Sequence, residues 1–179
     1  MKPLAAVLAG LLLCACAKPP GETMPPFALV DQSGTTVRSE SLRGHALVVS
    51  FVFTTCREAC PLITAQLARA QARARTEKLD GRVRFVSITL DPVTDTPDVL
   101  RRYAEAYGID LTNWHFLTGA SEDVARVIRA FGLTAVAGDR IVHGSLVVLV
   151  DGEGRIAERR TDLELDPQRL LASLRKLLG

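Results

Sequence analysis

Two cysteines stand four residues apart in Phe53-Thr54-Thr55-Cys56-Arg57-Glu58-Ala59-Cys60-Pro61. On a helical turn, residues i and i+4 share one face, so both sulfurs can approach one point. An apolar run precedes them and a helical pattern follows, which places them at a helix N-terminus. There, free backbone N–H groups and a partial positive charge pull a thiol below its free pKa of about 8.5. Pro61 is predicted to bias Cys60 toward extended backbone and to keep it out of the helix interior. Two converging thiolates suit a soft metal or a reversible disulfide. A purely structural disulfide would close a five-residue loop and contribute only about 2 kcal/mol. A strand–helix junction is also a place for function more than for stapling.

The three histidines decide what joins the sulfurs. His45 follows Gly44 and reads as an exposed loop residue; His115, beside Trp114, reads as structural or surface. His143 lies in Ile141-Val142-His143-Gly144-Ser145, just before a strand, and Gly144 lets backbone pass close to a site. In a thioredoxin-like sheet this loop would lie beside the one that carries the cysteines. Two thiolates and an imidazole make a soft three-coordinate set suited to copper. Zinc would want a fourth ligand or a water.

The elements that must position these groups alternate along the chain. Ala46 to Phe53 is a continuous apolar run, as in a strand buried on both faces. Pro61 to Lys78 is a predicted helix, with Ile63, Leu67, Ala70 and Ala74 in one stripe. A second strand covers Val83 to Leu90, and Thr96-Pro97-Asp98 opens a helix with a hydroxyl cap, a proline in the first turn and an early acid. Trp114 to Leu117 is a short strand. Ser121 is expected to cap a helix buried through Val124, Val127, Ile128 and Phe131. Ser145 to Val150 and Arg155 to Arg160 form a hairpin, and Asp166-Pro167 opens the last helix. The order implies an α/β fold of the thioredoxin-like type, a central mixed sheet flanked by helices. Phe27 to Val30 and Thr35 to Val37 add an N-terminal hairpin.

The first 15 residues read as an address. Met1-Lys2 is a basic start, and Pro3 to Ala15 is apolar but too short to span a bilayer, which takes about 20 residues. Leu13-Cys14-Ala15-Cys16 resembles a bacterial lipobox, with cleavage after Ala15 and a lipid on Cys16. Residues 16–26, with Pro19, Pro20, Pro25 and Pro26, form a tether, and 27–179 form the domain. The implied location is extracytoplasmic, on a membrane and facing the periplasm, where thiols meet oxidising conditions. Of 179 residues, 22 are basic and 20 acidic, so no electrostatic case for nucleic acid exists; aromatics at 5% offer no base-stacking platform.

With these residues in view, the chain resembles the SCO/SenC family of copper-binding, thioredoxin-fold proteins. The resemblance is carried by the Cys56–Pro61 motif, by Val86-Ser87-Ile88-Thr89-Leu90-Asp91-Pro92 with Asp95-Thr96-Pro97, by His143, and by Leu149-Val150-Asp151. It implies copper, one per chain, held by Cys56, Cys60 and His143. Asp91 matches an acidic position near the site; its alternative is a turn residue before Pro92. The implied role is a metallochaperone, not an enzyme, that assists assembly of the copper centre of cytochrome c oxidase. Its partner would be the copper-accepting oxidase subunit or another extracytoplasmic copper protein, and the carrier a monomer. The sequence departs from the family at Arg57, often Pro, and at Val142 and Gly144, which flank the histidine. The alternative is a membrane-tethered thiol-disulfide oxidoreductase that reduces an acceptor protein through Cys56 and Cys60. Such an enzyme would lack the thioredoxin clamp, since no proline occurs between Pro97 and Pro167.

Overall fold

In a computed structural model, the described residues are 21–133, 146–163 and 165–179. The centre is β3 (Ala46–Val52), whose seven residues are all buried. It runs parallel to β4 (Val83–Thr89) on one side and antiparallel to β6 (Val147–Val150) on the other. β5 (Trp114–Leu117) extends the β4 side in parallel, and β7 (Ile156–Arg160) extends the β6 side antiparallel. The order is β5-β4-β3-β6-β7. A separate hairpin of β1 (Ala28–Val30) and β2 (Thr36–Arg38) is bridged to the sheet where Val30 meets Thr118.

Successive residues of β3 feed opposite faces, as a pleat requires. Val48 and Val52 join one core with α1 (Ala59–Thr76), α2 (Pro97–Ala106) and α4 (Pro167–Leu178). Leu47, Val49 and Phe51 join the other, with α3 (Ser121–Ala130) and the N-terminal hairpin. The expected stripe Ile63, Leu67, Ala70 and Ala74 is buried, as are Val124, Val127, Ile128 and Phe131. Each such aliphatic or aromatic side chain contributes about 1.5–3 kcal/mol by leaving water. Polar groups in the first core are paired: Ser50 and Ser87 hydroxyls lie 2.8 Å apart, and Trp114 Nε1 donates to Ser87 Oγ at 2.9 Å.

The helix starts show where local signals carried. Thr96 caps α2 by accepting from Val99 N, and Asp166 caps α4 by accepting from Gln168 N. Ser121 does not cap α3: it is the first helical residue, and the cap position is Ala120, without a side-chain bond. The Pro-rich stretch is tied to the domain near its end. Thr23 bridges Arg155, Met24 N donates to Gly154 O, Ile156 N donates to Glu22 O, and Glu22 pairs with Arg159.

Candidate functional site

The parallel strands β3 and β4 end level, since Leu90 N donates to Val52 O at 2.7 Å. Their following loops, 53–58 and 90–96, therefore lie side by side at the carboxyl end of the sheet, where α/β folds build sites. β6 begins at this same end, because Val147 pairs with Ser50. His143, Cys16 and Cys14 lie outside the described residues.

The first loop turns at once: Cys56 N donates to Phe53 O at 3.1 Å. α1 then starts at Ala59, with Glu58 at the cap position and no cap from its side chain. A sulfur takes that role, for Cys60 N donates to Cys56 Sγ at 3.4 Å. The convergence of the two cysteines is thus a sulfur accepting at a helix start, and not two side chains on one helical face. Cys60 is helical, contrary to the extended backbone expected before Pro61. Proline is tolerated in a first turn, where its missing N–H has no partner to lose. The helix consequently begins two residues earlier than the sequence suggested.

The two thiols are unequal. Both are free; Cys56 is half-buried and Cys60 buried. Burial raises the Cys56 thiol, but the N–H groups of Cys60, Glu58 and Ala59 and the Cys60 thiol outweigh it and hold Cys56 below the ordinary range. Burial pushes Cys60 up to about 12, and the charges of Cys56 and Asp95 add to the rise. Of the reduced pair, Cys56 therefore gives up its proton more readily than Cys60. A soft cation that meets this pair takes the place of its thiol protons, which is the chemistry of a dithiolate metal ligand.

Around the pair, Asp95 is wholly buried, and its carboxylate accepts from Thr54 N at 3.2 Å and from the hydroxyls of Thr54 and Thr89. Tyr103 lies behind Cys60 with its hydroxyl 2.9 Å from Thr64 Oγ1, and burial raises its pKa further, as does Cys60. Neither residue was assigned a role from sequence, though an acid one place before a Thr-Pro helix start is unneeded for the cap. Asp91 accepts from Thr94 N at 3.2 Å, and its carbonyl accepts from Asp95 N at 2.9 Å, so it shapes the 90–96 turn.

Two histidines are placed away from the sulfurs. His115 in β5 holds Asp31 Oδ2 at 3.2 Å through Nδ1, a structural role as expected. His45 stands before β3, at the opposite end of the sheet. It is half-buried, not exposed, and its buried Nδ1 has no hydrogen-bond partner. Among the described residues, no cluster of three His, Cys, Asp or Glu side chains could hold a metal ion. The two sulfurs fit a soft ion as a pair.

The comparisons with known proteins converge. A curated relative, the SCO1 protein homolog of Bacillus subtilis (strain 168), is 32% identical over 177 residues, 93% of this chain and 91% of its own length. A SCO1/SenC family lipoprotein from Bacillus anthracis str. Ames superposes with a TM-score of 0.80 at 28% identity, covering 92% of this chain and all of that one. BsSco, a member of the Sco family of cytochrome c oxidase assembly proteins in which a disulfide switch is identified, gives 0.78 at 26% identity, over 90% and 96% of the two chains. Bradyrhizobium japonicum ScoI with copper bound gives 0.72 at 27%, over 87% and 99%. The SCO1/SenC family model matches residues 16–179, and with that span, that fold and that dithiol turn the chain belongs to the SCO1/SenC family.

Proposed function

We propose that this chain is a copper carrier for assembly of the copper centre of cytochrome c oxidase, with the metal held by Cys56, Cys60 and His143. The observation that carries the reading is the polarised pair: Cys56 Sγ at 3.4 Å from Cys60 N, one sulfur favoured as thiolate and the other as thiol. Arrival of Cu(I) forms two Cu–S bonds and releases the thiol protons of the pair to solvent. Imidazole from His143 completes the set and matters most for Cu(II), since two thiolates alone hold Cu(I). Transfer to the oxidase subunit needs only that the acceptor's ligands replace these one at a time. The relatives with copper bound and with an oxidase-assembly role support the assignment.

The same reading places the carrier outside the cytoplasm on a lipid attached to Cys16, with residues 1–15 removed and 16–26 as its tether. The lipoprotein relative supports this, and no described helix is long and apolar enough to cross a membrane. Asp91, on the turn beside the cysteine loop, is the acidic residue that either supports the metal ligands from behind or meets a docking partner.

The test is metal analysis of protein purified with reduced thiols and supplied with copper. One copper per chain is expected, lost in Cys56→Ala and in Cys60→Ala. Full occupancy in the double cysteine variant overturns the assignment. A second reading, thiol-disulfide exchange with an acceptor protein, draws on the same polarised pair, since Cys56 thiolate could attack an acceptor disulfide and Cys60 resolve it. His143→Ala separates the two: oxidase assembly falls as far as with Cys60→Ala if copper is carried, and stays near normal if the dithiol alone works.

A further inference from the structure

Asp95 is 0% exposed, and its carboxylate collects three donors from two elements. Thr54 gives its N–H at 3.2 Å and its hydroxyl from the cysteine loop; Thr89 gives its hydroxyl from the last residue of β4. All three donors are neutral, and no cation among the described residues pairs with it. Burying a carboxyl group away from every counter-ion carries a desolvation cost that an apolar side chain of the same size would not. Its own backbone is fixed too, since Asp95 N donates to Asp91 O at 2.9 Å. Thr54 stands two residues before Cys56, inside the turn that Phe53 O closes onto Cys56 N, and the N–H groups that face Cys56 Sγ follow directly on that turn.

We propose that Asp95 is the positioning residue of the dithiol. Its carboxylate ties the loop carrying Cys56 and Cys60 to the end of β4 and to the start of α2. This holds the helix-start N–H groups on Cys56 Sγ, which favours the reduced, metal-accepting arrangement of the pair over the disulfide. The inference rests on the dithiol being the working group of the protein. Asp95 bonds neither metal nor sulfur in this role; it acts through Thr54, and the rise its charge gives the Cys60 thiol is the smallest of the causes acting there. Asparagine keeps the size but replaces one acceptor oxygen by an NH2 donor, so one threonine hydroxyl must reverse and accept, and the carboxylate's charge is removed.

The experiment compares the full domain with Asp95→Asn, Thr54→Val and Thr89→Val by three measurements. These are cooperative unfolding in urea, Cu(I) affinity by competition with a chromophoric chelator, and the dithiol–disulfide equilibrium against a reference thiol couple. For Asp95→Asn the expected result is a cooperative transition, at least tenfold weaker Cu(I) binding, and a tenfold shift toward the disulfide, about 30 mV for a two-electron couple. Thr54→Val and Thr89→Val each shift the equilibrium the same way by a few-fold. Asp95→Asn that unfolds cooperatively with both chemical readouts within twofold of the parent overturns the proposal and leaves Asp95 a packing residue. If Asp95→Asn does not fold, the two valine variants decide, and an unchanged dithiol equilibrium in both overturns it. Should the parent bind no copper, the copper-carrier function falls, while the dithiol equilibrium still judges Asp95.

Discussion

The two ends of the central sheet treat charge in opposite ways. At the amino end of β3 and β4, charged groups neutralise one another: Arg155 pairs with Asp151 and Glu153, Arg175 with Glu77, and Arg75 with Asp110. Arg82 donates to the carbonyl of Leu178. The cleft there, about 330 Å³ and lined by Gly44, Arg82, Asp151 and Lys176 among others, is walled mostly by groups paired with one another or with backbone. At the carboxyl end, the buried Asp95 has only neutral donors, and a thiol held below its ordinary range lies beside one pushed above it. Burial of unbalanced groups is what a fold avoids unless chemistry requires it. Cleft volume singles out neither end; the buried Asp95 and the unequal thiols single out the second.

The sharpest way to break this comparison is to cross the substitutions. Cys56→Ser or Cys60→Ser is expected to weaken Cu(I) binding a hundredfold or more, whereas Arg82→Ala and Lys176→Ala at the other end leave it within twofold. Chelator competition measures both. Comparable losses from the two ends would dissolve the distinction.

Next in size is the inequality of the two thiols. Cys56 lies below the ordinary thiol range, so as pH falls through that range it keeps its thiolate longer than a peptide cysteine does. Cys60, pushed up to about 12, remains protonated throughout. Iodoacetamide near pH 7 should therefore label Cys56 at least tenfold faster than Cys60, read by peptide mass mapping. Equal labelling would mean that the helix-start N–H groups do not favour thiolate at Cys56.

Between the two ends, the sheet itself should be indifferent to copper. Trp114→Phe removes the Nε1 donor to Ser87 Oγ, but Ser50 still pairs with Ser87. A loss of about 1–2 kcal/mol in unfolding free energy is expected, with Cu(I) affinity unchanged. A matching drop in affinity would show that the site is coupled to packing in the sheet.

These elements also show what the sequence could carry. β3 was legible because a strand buried on both faces is an unbroken apolar run, and α2 and α4 because hydroxyl or acid caps stand directly before proline. α1 was misjudged at its start, because its cap is the Cys56 sulfur, a signal that residue type does not announce. Cys56 and Cys60 were visible as a pair four apart, since local spacing is written in the chain. The partnership of Asp95 with Thr54 spans 41 residues and forms only when β3 and β4 end level. His45 was misread for the same reason, for nothing in Gly44-His45-Ala46 tells how much of the ring the neighbouring elements cover.

His45 gives the smallest and most exacting test. Its Nδ1 is the one buried side-chain nitrogen or oxygen among the described residues without a hydrogen-bond partner. A buried polar atom left unbonded loses its hydration without recompense, a penalty of about 1–3 kcal/mol when complete. The ring is only half-buried, so part of that penalty applies. Phenylalanine keeps a planar ring of similar size and removes the nitrogen. His45→Phe is therefore expected to raise the urea midpoint, by up to about 1 kcal/mol in unfolding free energy, with the m-value unchanged. Cu(I) affinity should not move, because the ring stands at the far end of β3 from the cysteines. A fall in stability would mean that Nδ1 is satisfied in solution, by water for instance. A fall in copper binding without a fall in stability would place His45 in the metal's reach and overturn the division between the two ends.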